Sequence, residues 1–196
     1  MWLFFAPLFY FSTDVWFLGD SILYWAGVYA EERNMPNLHL PELSIGWYGI
    51  RGMSWNQFIH SLQLRVLFQQ PPKVILIHLG GNDLCTKSQL QLFNLIRRGL
   101  DYVTAAYPDS VLIWVDILQH LHWTENYQGD VTIELKRQRV NRFGRAIVTR
   151  LPKGHNLVHD IDFQTPGFFH PDGIHLSDIG LAMYLDATRD KLMLLL

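Results

Sequence analysis

Three stretches of this chain are apolar at almost every position: Val15–Leu18, Val74–Leu79 and Val111–Val115. A strand with one wet face alternates apolar and polar residues, whereas a near-continuous Val/Ile/Leu run marks a strand covered on both faces. Two weaker runs, Leu43–Trp47 and Asn156–His159, have the same length. Helical patterns lie between and after them, near 22–33, 54–69, 88–107, 131–150 and 177–195. Ser88 and Ser177 stand at N-cap positions, and Pro71-Pro72 and Pro108 mark helix ends. Strand alternating with helix predicts a doubly wound α/β fold. A parallel sheet of about five strands would lie between two helical layers in a three-layer α/β/α sandwich.

Composition narrows the class. The 196 residues suffice for one domain with a sizeable core, and 49% apolar against 17% charged residues is a globular balance. A net charge of −2 gives no field that would gather nucleic acid or an anionic membrane, so nucleic acid is not an expected partner of this domain alone. The single cysteine, Cys85, cannot form an internal disulfide, so the fold does not depend on an oxidising compartment; an intracellular location is the expectation. The N-terminal "MWLFFAPLFYF" is apolar, but lacks the basic start of a signal peptide and the length of a membrane span. Residues 1–14 are read as an apolar extension and 15–196 as one domain. The oligomeric state is not legible.

In parallel sheets, sites form beyond the carboxyl ends of the strands. The unusual residues fall there. Gly19-Asp20-Ser21 follows the first run and "YGIRG", with Gly49 and Gly52, the second. "GGND", Gly80 to Asp83, follows the third, and "HPDGIHLSD", with Asp172 and His175, comes after the fifth.

A serine hydroxyl attacks a carbonyl only when a base takes its proton, and histidine titrates in the right range. A carboxylate on the other ring nitrogen fixes the tautomer and stabilises the imidazolium. Ser21, His175 and Asp172 supply these three groups. Asp172 and His175 stand three residues apart in a Pro- and Gly-containing turn that can deliver both to one side. Acyl transfer also needs donors for the oxyanion. The Ser21 N–H at a helix start, the Gly52 N–H in an open turn and the Asn82 side-chain amide are the candidates.

In this order and spacing, "GDSI", "GIRG", "GGND" and "DGIH" resemble the four blocks of the SGNH (GDSL-like) hydrolases, over the chain from Val15 onward. The resemblance implies a five-stranded α/β/α fold and hydrolysis of esters. By motif, Ser21 would be the nucleophile and His175 the base oriented by Asp172, with Ser21 N–H, Gly52 and Asn82 as the oxyanion hole. No metal or organic cofactor is implied, and the partner would be a small-molecule or lipid ester. Ile22 replaces the commoner leucine, and Trp47-Tyr48 occupy the place where an asparagine usually precedes the second glycine turn. "HLGGNDL", "WVDIL" followed by "HW", "RVNR" and "DGIHLSDIG" are also similar to SGNH domains encoded by, or descended from, vertebrate retroelements.

Other readings compete. Ser21 alone reads as an N-cap, and His175 as a core or turn histidine. Asp20, Asp83 and Asp178 read as turn and capping residues, His78 as a hydrogen-bonded core histidine, and Cys85 as a buried inert thiol. His120-x-His122 and His155/His159 are pairs without a third ligand, so no metal is expected. Lys136, Arg137, Arg139, Arg142, Arg145 and Arg150 read as a solvated basic face, with phosphate binding as the alternative. Trp47, Trp55, Phe168-Phe169 and the "LQHLHWTENY" loop are read as either pocket wall or core. A non-catalytic binding module is the rival to a hydrolase. Phospholipid-type acetyl hydrolysis and carbohydrate deacetylation rank equally within the hydrolase reading.

Overall fold

A computed structural model describes residues 13–68, 70–123 and 131–196. The extension read at 1–14 therefore lies almost wholly outside the described residues, as do residues 124–127 of the "LQHLHWTENY" loop. The elements are β1 (Val15–Gly19), α1 (Ser21–Glu32), β2 (Ile45–Gly49), α2 (Trp55–Phe68), β3 (Val74–His78), α3 (Gly81–Leu84), α4 (Gln89–Ala106), β4 (Val111–Val115), α5 (Val131–Val148), β5 (Gly154–Leu157) and α6 (Asp178–Met193). All strand pairs are parallel, in the order β2-β1-β3-β4-β5. The three-layer α/β/α sandwich expected from the apolar runs is the observed fold.

Alternation along the buried strands feeds two separate cores. Trp16, Leu18, Ile75, Ile77 and Trp114 face α2, α4 and α5. Val15, Phe17, Val74, Leu76 and Ile113 face α1 and α6. Both sets are at most 4% exposed, which is why these strands carry no polar alternation. Capping follows the sequence. Ser88 closes a capping box with Gln91, and the Ser177 hydroxyl accepts from the Gly180 N–H. No helix among the described residues is long and apolar enough to cross a membrane.

Two strands are displaced from their apolar runs. β2 starts at Ile45 rather than Leu43 because Asp14 and Ser44 form a clamp. The Asp14 carboxylate accepts from the Ser44 N–H at 2.9 Å and hydroxyl at 2.7 Å, which pairs Val15 with Ile45. β5 is an edge strand in which only Leu157 is buried, so backbone pairing from Gly154 onward leaves little apolar signal. The basic residues of α5 are not simply solvated. Lys136 donates to the carbonyls of Leu84 and Lys87, Arg137 grips Glu134 with two bonds, and Arg145 pairs with buried Asp116.

Chain order makes the site. From β1 the chain turns outward to β2, then crosses back to β3 on the other side. The carboxyl ends of β1 and β3 therefore border a crevice at the point where the winding reverses, which is the binding position of open α/β sheets. The strands meet so closely there that a Cβ built on Gly19 would lie 2.0 Å from the His78 carbonyl oxygen and 2.8 Å from Leu23 Cδ1. The first obstacle is backbone and cannot rotate away. Gly19→Ala is accordingly expected to destabilise the fold by about 2 kcal/mol or more, read as a lower urea midpoint at unchanged slope.

Candidate active site

Asp20, not Ser21, is the N-cap of α1. Its side chain accepts from the Ile22 N–H at 3.1 Å, and its carbonyl accepts the first helical bond, from the Tyr24 N–H. The Ser21 hydroxyl is thus free of capping and stands half-buried at the first helical position, where the N–H groups lack intrahelical partners.

Residues 168–177, before α6, fold into a small hairpin. Phe169 bridges Leu176, and the His170 N–H donates to the His175 carbonyl. Asp172 turns back inside it. One carboxylate oxygen accepts from the N–H groups of Ile174 and His175 at 2.9 and 3.0 Å, and the other faces His175 Nδ1 at 2.7 Å. Burial pushes the Asp172 carboxyl up, but the imidazole and the two backbone donors outweigh it and hold the pKa at about 2. An ionised Asp172 only accepts, so Nδ1 carries the hydrogen and Nε2 presents its lone pair. Nε2 lies 3.1 Å from Ser21 Oγ, across 154 positions of sequence.

The second loop is pinned to the same rim, since the Ile50 N–H donates to the Gly19 carbonyl at 2.9 Å. Gly52 follows with φ +73°, a left-handed conformation that favours glycine, and a Cβ there would meet nothing within 4 Å. The rim is therefore open on the side where a side chain would stand. Asn82, in α3, donates one amide hydrogen to the Met53 carbonyl at 3.0 Å, which orients the amide beside the Gly52 turn and leaves its second hydrogen available. Asp83 is fully buried and accepts from the Trp55 N–H at 3.0 Å, so it caps α2 rather than its own turn. Asp178 is exposed and pairs with Arg33.

His120 is the rim group to which the sequence assigns no role. Its ring stacks on Trp123 at 4.4 Å, and a Cβ built on Gly81 would lie 3.6 Å from its Cε1 and 3.7 Å from an Asp20 carboxylate oxygen. Burial, followed by the charge of His175, holds its pKa at about 3, so the ring is neutral. The signal in sequence was position, since His120 lies beyond the carboxyl end of β4. His78 is a core histidine as read, fully covered, with Nδ1 2.7 Å from the Tyr184 hydroxyl. Among the described residues no three metal-ligating side chains gather. Trp55 is 2% exposed and belongs to the core, and Cys85 is half-buried, with Sγ 3.9 Å from the Trp123 carbonyl. A cleft of about 440 Å³ opens beside His175, lined by Trp25, Tyr29, Arg51, His170 and Leu181.

Burial raises the Asp20 pKa from 3.8 to about 7, against the hydrogen bonds from Ile22 and Gly80. A raised carboxyl binds its proton more tightly in the folded chain, so its contribution to stability falls as pH rises from about 4 to 7. Buried His120 and His159, with pKa values held at about 3 and 4, give the opposite slope. A comparison of variants isolates Asp20. Asp20→Asn retains the capping oxygen and is expected to gain stability over the parent as pH rises from 4 to 7, on the order of a few kcal/mol, in urea unfolding.

No protein-family model and no curated protein sequence matches the chain. Solved structures do. A GDSL-like lipase from Bacteroides thetaiotaomicron VPI-5482 superposes with a TM-score of 0.73 at 16% identity, over 93% of this chain and 88% of that one. The lipase/acylhydrolase from Enterococcus faecalis gives 0.66 at 19% identity, over 91% and 94%. A member of the lipolytic protein G-D-S-L family from Veillonella parvula DSM 2008 gives 0.66 at 14%, over 90% and 96%. At these identities the likeness is one of fold.

Proposed function

We propose that this chain is a serine hydrolase that cleaves a carboxylic ester, with an acetyl or other short acyl group, through an acyl-enzyme. The observation that carries the reading is the run of contacts from Asp172 to His175 to Ser21, at 2.7 and 3.1 Å. The solved neighbours named as lipases and acylhydrolases support it.

Ser21 Oγ attacks the carbonyl carbon as its proton passes to His175 Nε2. Asp172 holds the imidazole and balances the imidazolium. The oxyanion falls to the Ser21 N–H, the Gly52 N–H and the Asn82 amide, each such donor being worth about 10²–10³ in turnover. The imidazolium then protonates the departing alkoxide. Water, activated by the same imidazole, releases the acid. No metal or organic cofactor enters these steps. Kinship with the retroelement-encoded subgroup rests only on the longer sequence stretches.

The reading is tested on p-nitrophenyl acetate, butyrate and longer esters at pH 8. Turnover of the short esters is the expected result. No turnover on any chain length would favour a binding module that keeps the fold without the reaction.

A further inference from the structure

A cleft of about 670 Å³ lies away from Ser21, between α5 and the carboxyl ends of β4 and β5. Its wall holds Arg137, Arg142 and Arg145. Arg137 is committed to Glu134 and to the Ile117 carbonyl. Arg145 uses one terminal nitrogen on Asp116 at 2.8 Å, which neutralises the one carboxylate in the wall, while its buried Nε has no partner. Arg142 is exposed and forms no ion pair among the described residues. The cleft therefore keeps one uncompensated guanidinium, that of Arg142, while the buried Arg145 Nε and the second Asp116 oxygen leave one donor and one acceptor unpartnered in the wall.

A second observation comes from the opposite wall. His159 is 7% exposed, and its Nε2 lies 3.1 Å from the Tyr184 carbonyl, an oxygen that can only accept. Nε2 therefore carries the hydrogen, and Nδ1 is a bare acceptor, buried and without a partner. Buried polar atoms are nearly always paired, and an orphan costs as much as a lost hydrogen bond. One wall thus asks for an anion and the other for a hydroxyl. A phosphate beside Arg142 and Arg145, on a skeleton that offers a hydroxyl to His159, satisfies both, and the volume suits a molecule of nucleotide size.

We propose that this cleft binds a phosphomonoester of a small hydroxylated molecule, the class of nucleotides and sugar phosphates. The proposal is independent of the hydrolase reading. Its test is isothermal titration of the protein at low ionic strength with two probes, adenosine monophosphate and inorganic phosphate. Saturable one-site binding is expected, tighter for adenosine monophosphate. Arg142→Glu is expected to weaken it about tenfold or more while leaving ester turnover unchanged, and Ser21→Ala to leave binding unchanged. Equal affinity for the two probes would support the phosphate contact and overturn the hydroxyl contact. Absence of saturable binding by either probe, or binding indifferent to Arg142→Glu, would overturn the site.

Discussion

Ser21→Ala is expected to lower turnover of p-nitrophenyl acetate by about 10⁴-fold or more and to leave the unfolding midpoint close to that of the parent. The two halves of this result have separate physical origins. The hydroxyl oxygen is the atom that would bond to the acyl carbon, and in the proposal no other group can replace it. The fold does not depend on it, because the helix start is capped by Asp20 and the Ser21 side chain is only half-buried. A serine that served as the N-cap would behave in the opposite way, costing about 1 kcal/mol in stability and nothing in rate. Unchanged turnover in this variant would place the nucleophile elsewhere.

Asp172→Asn is expected to reduce kcat by about 10²–10⁴-fold with little change in KM. Asparagine keeps the shape and can still accept from the N–H groups of Ile174 and His175, so the hairpin should persist. What changes is the atom 2.7 Å from His175 Nδ1. An amide nitrogen there donates, which favours the tautomer with hydrogen on Nε2 and removes the lone pair aimed at Ser21. In the parent protein Asp172 titrates at about 2, so it stays ionised across any practical assay range, and loss of rate in mild acid reports another group. A variant with full kcat would reduce Asp172 to a structural brace of the turn.

Much of this arrangement is legible in the amino-acid sequence. Strands buried on both faces announce themselves, as Val15–Leu18 and Val111–Val115 do, because every side chain must be apolar. Edge strands do not. Gly154–Leu157 pairs through its backbone with one buried side chain, so its boundaries were misplaced. The positions of Ser21, Asn82 and His175 beyond strand ends followed from parallel topology. The division of labour between neighbours did not, since sequence cannot say whether Asp20 or Ser21 takes the cap. Nor could it show that Asp83 serves a helix that begins 28 residues earlier. Spacing gives His120 no role beyond a two-ligand pair that lacks a third member; its stacking on Trp123, at the rim near Gly81, comes only from packing. The charges of α5 look uniform along the sequence, and only packing separates committed Arg137 from Arg142, which has no ion pair among the described residues.

The central claim is that the fold activates the Ser21 hydroxyl by bringing His175 to it from the far end of the chain. A fluorophosphonate probe measures that activation without knowledge of the natural ester. Mass spectrometry of the labelled, digested protein should find one phosphonyl adduct, on Ser21, and the adduct should be lost when His175 is replaced by alanine. An unlabelled Ser21 in the folded parent protein, or an adduct that survives loss of His175, would contradict the account.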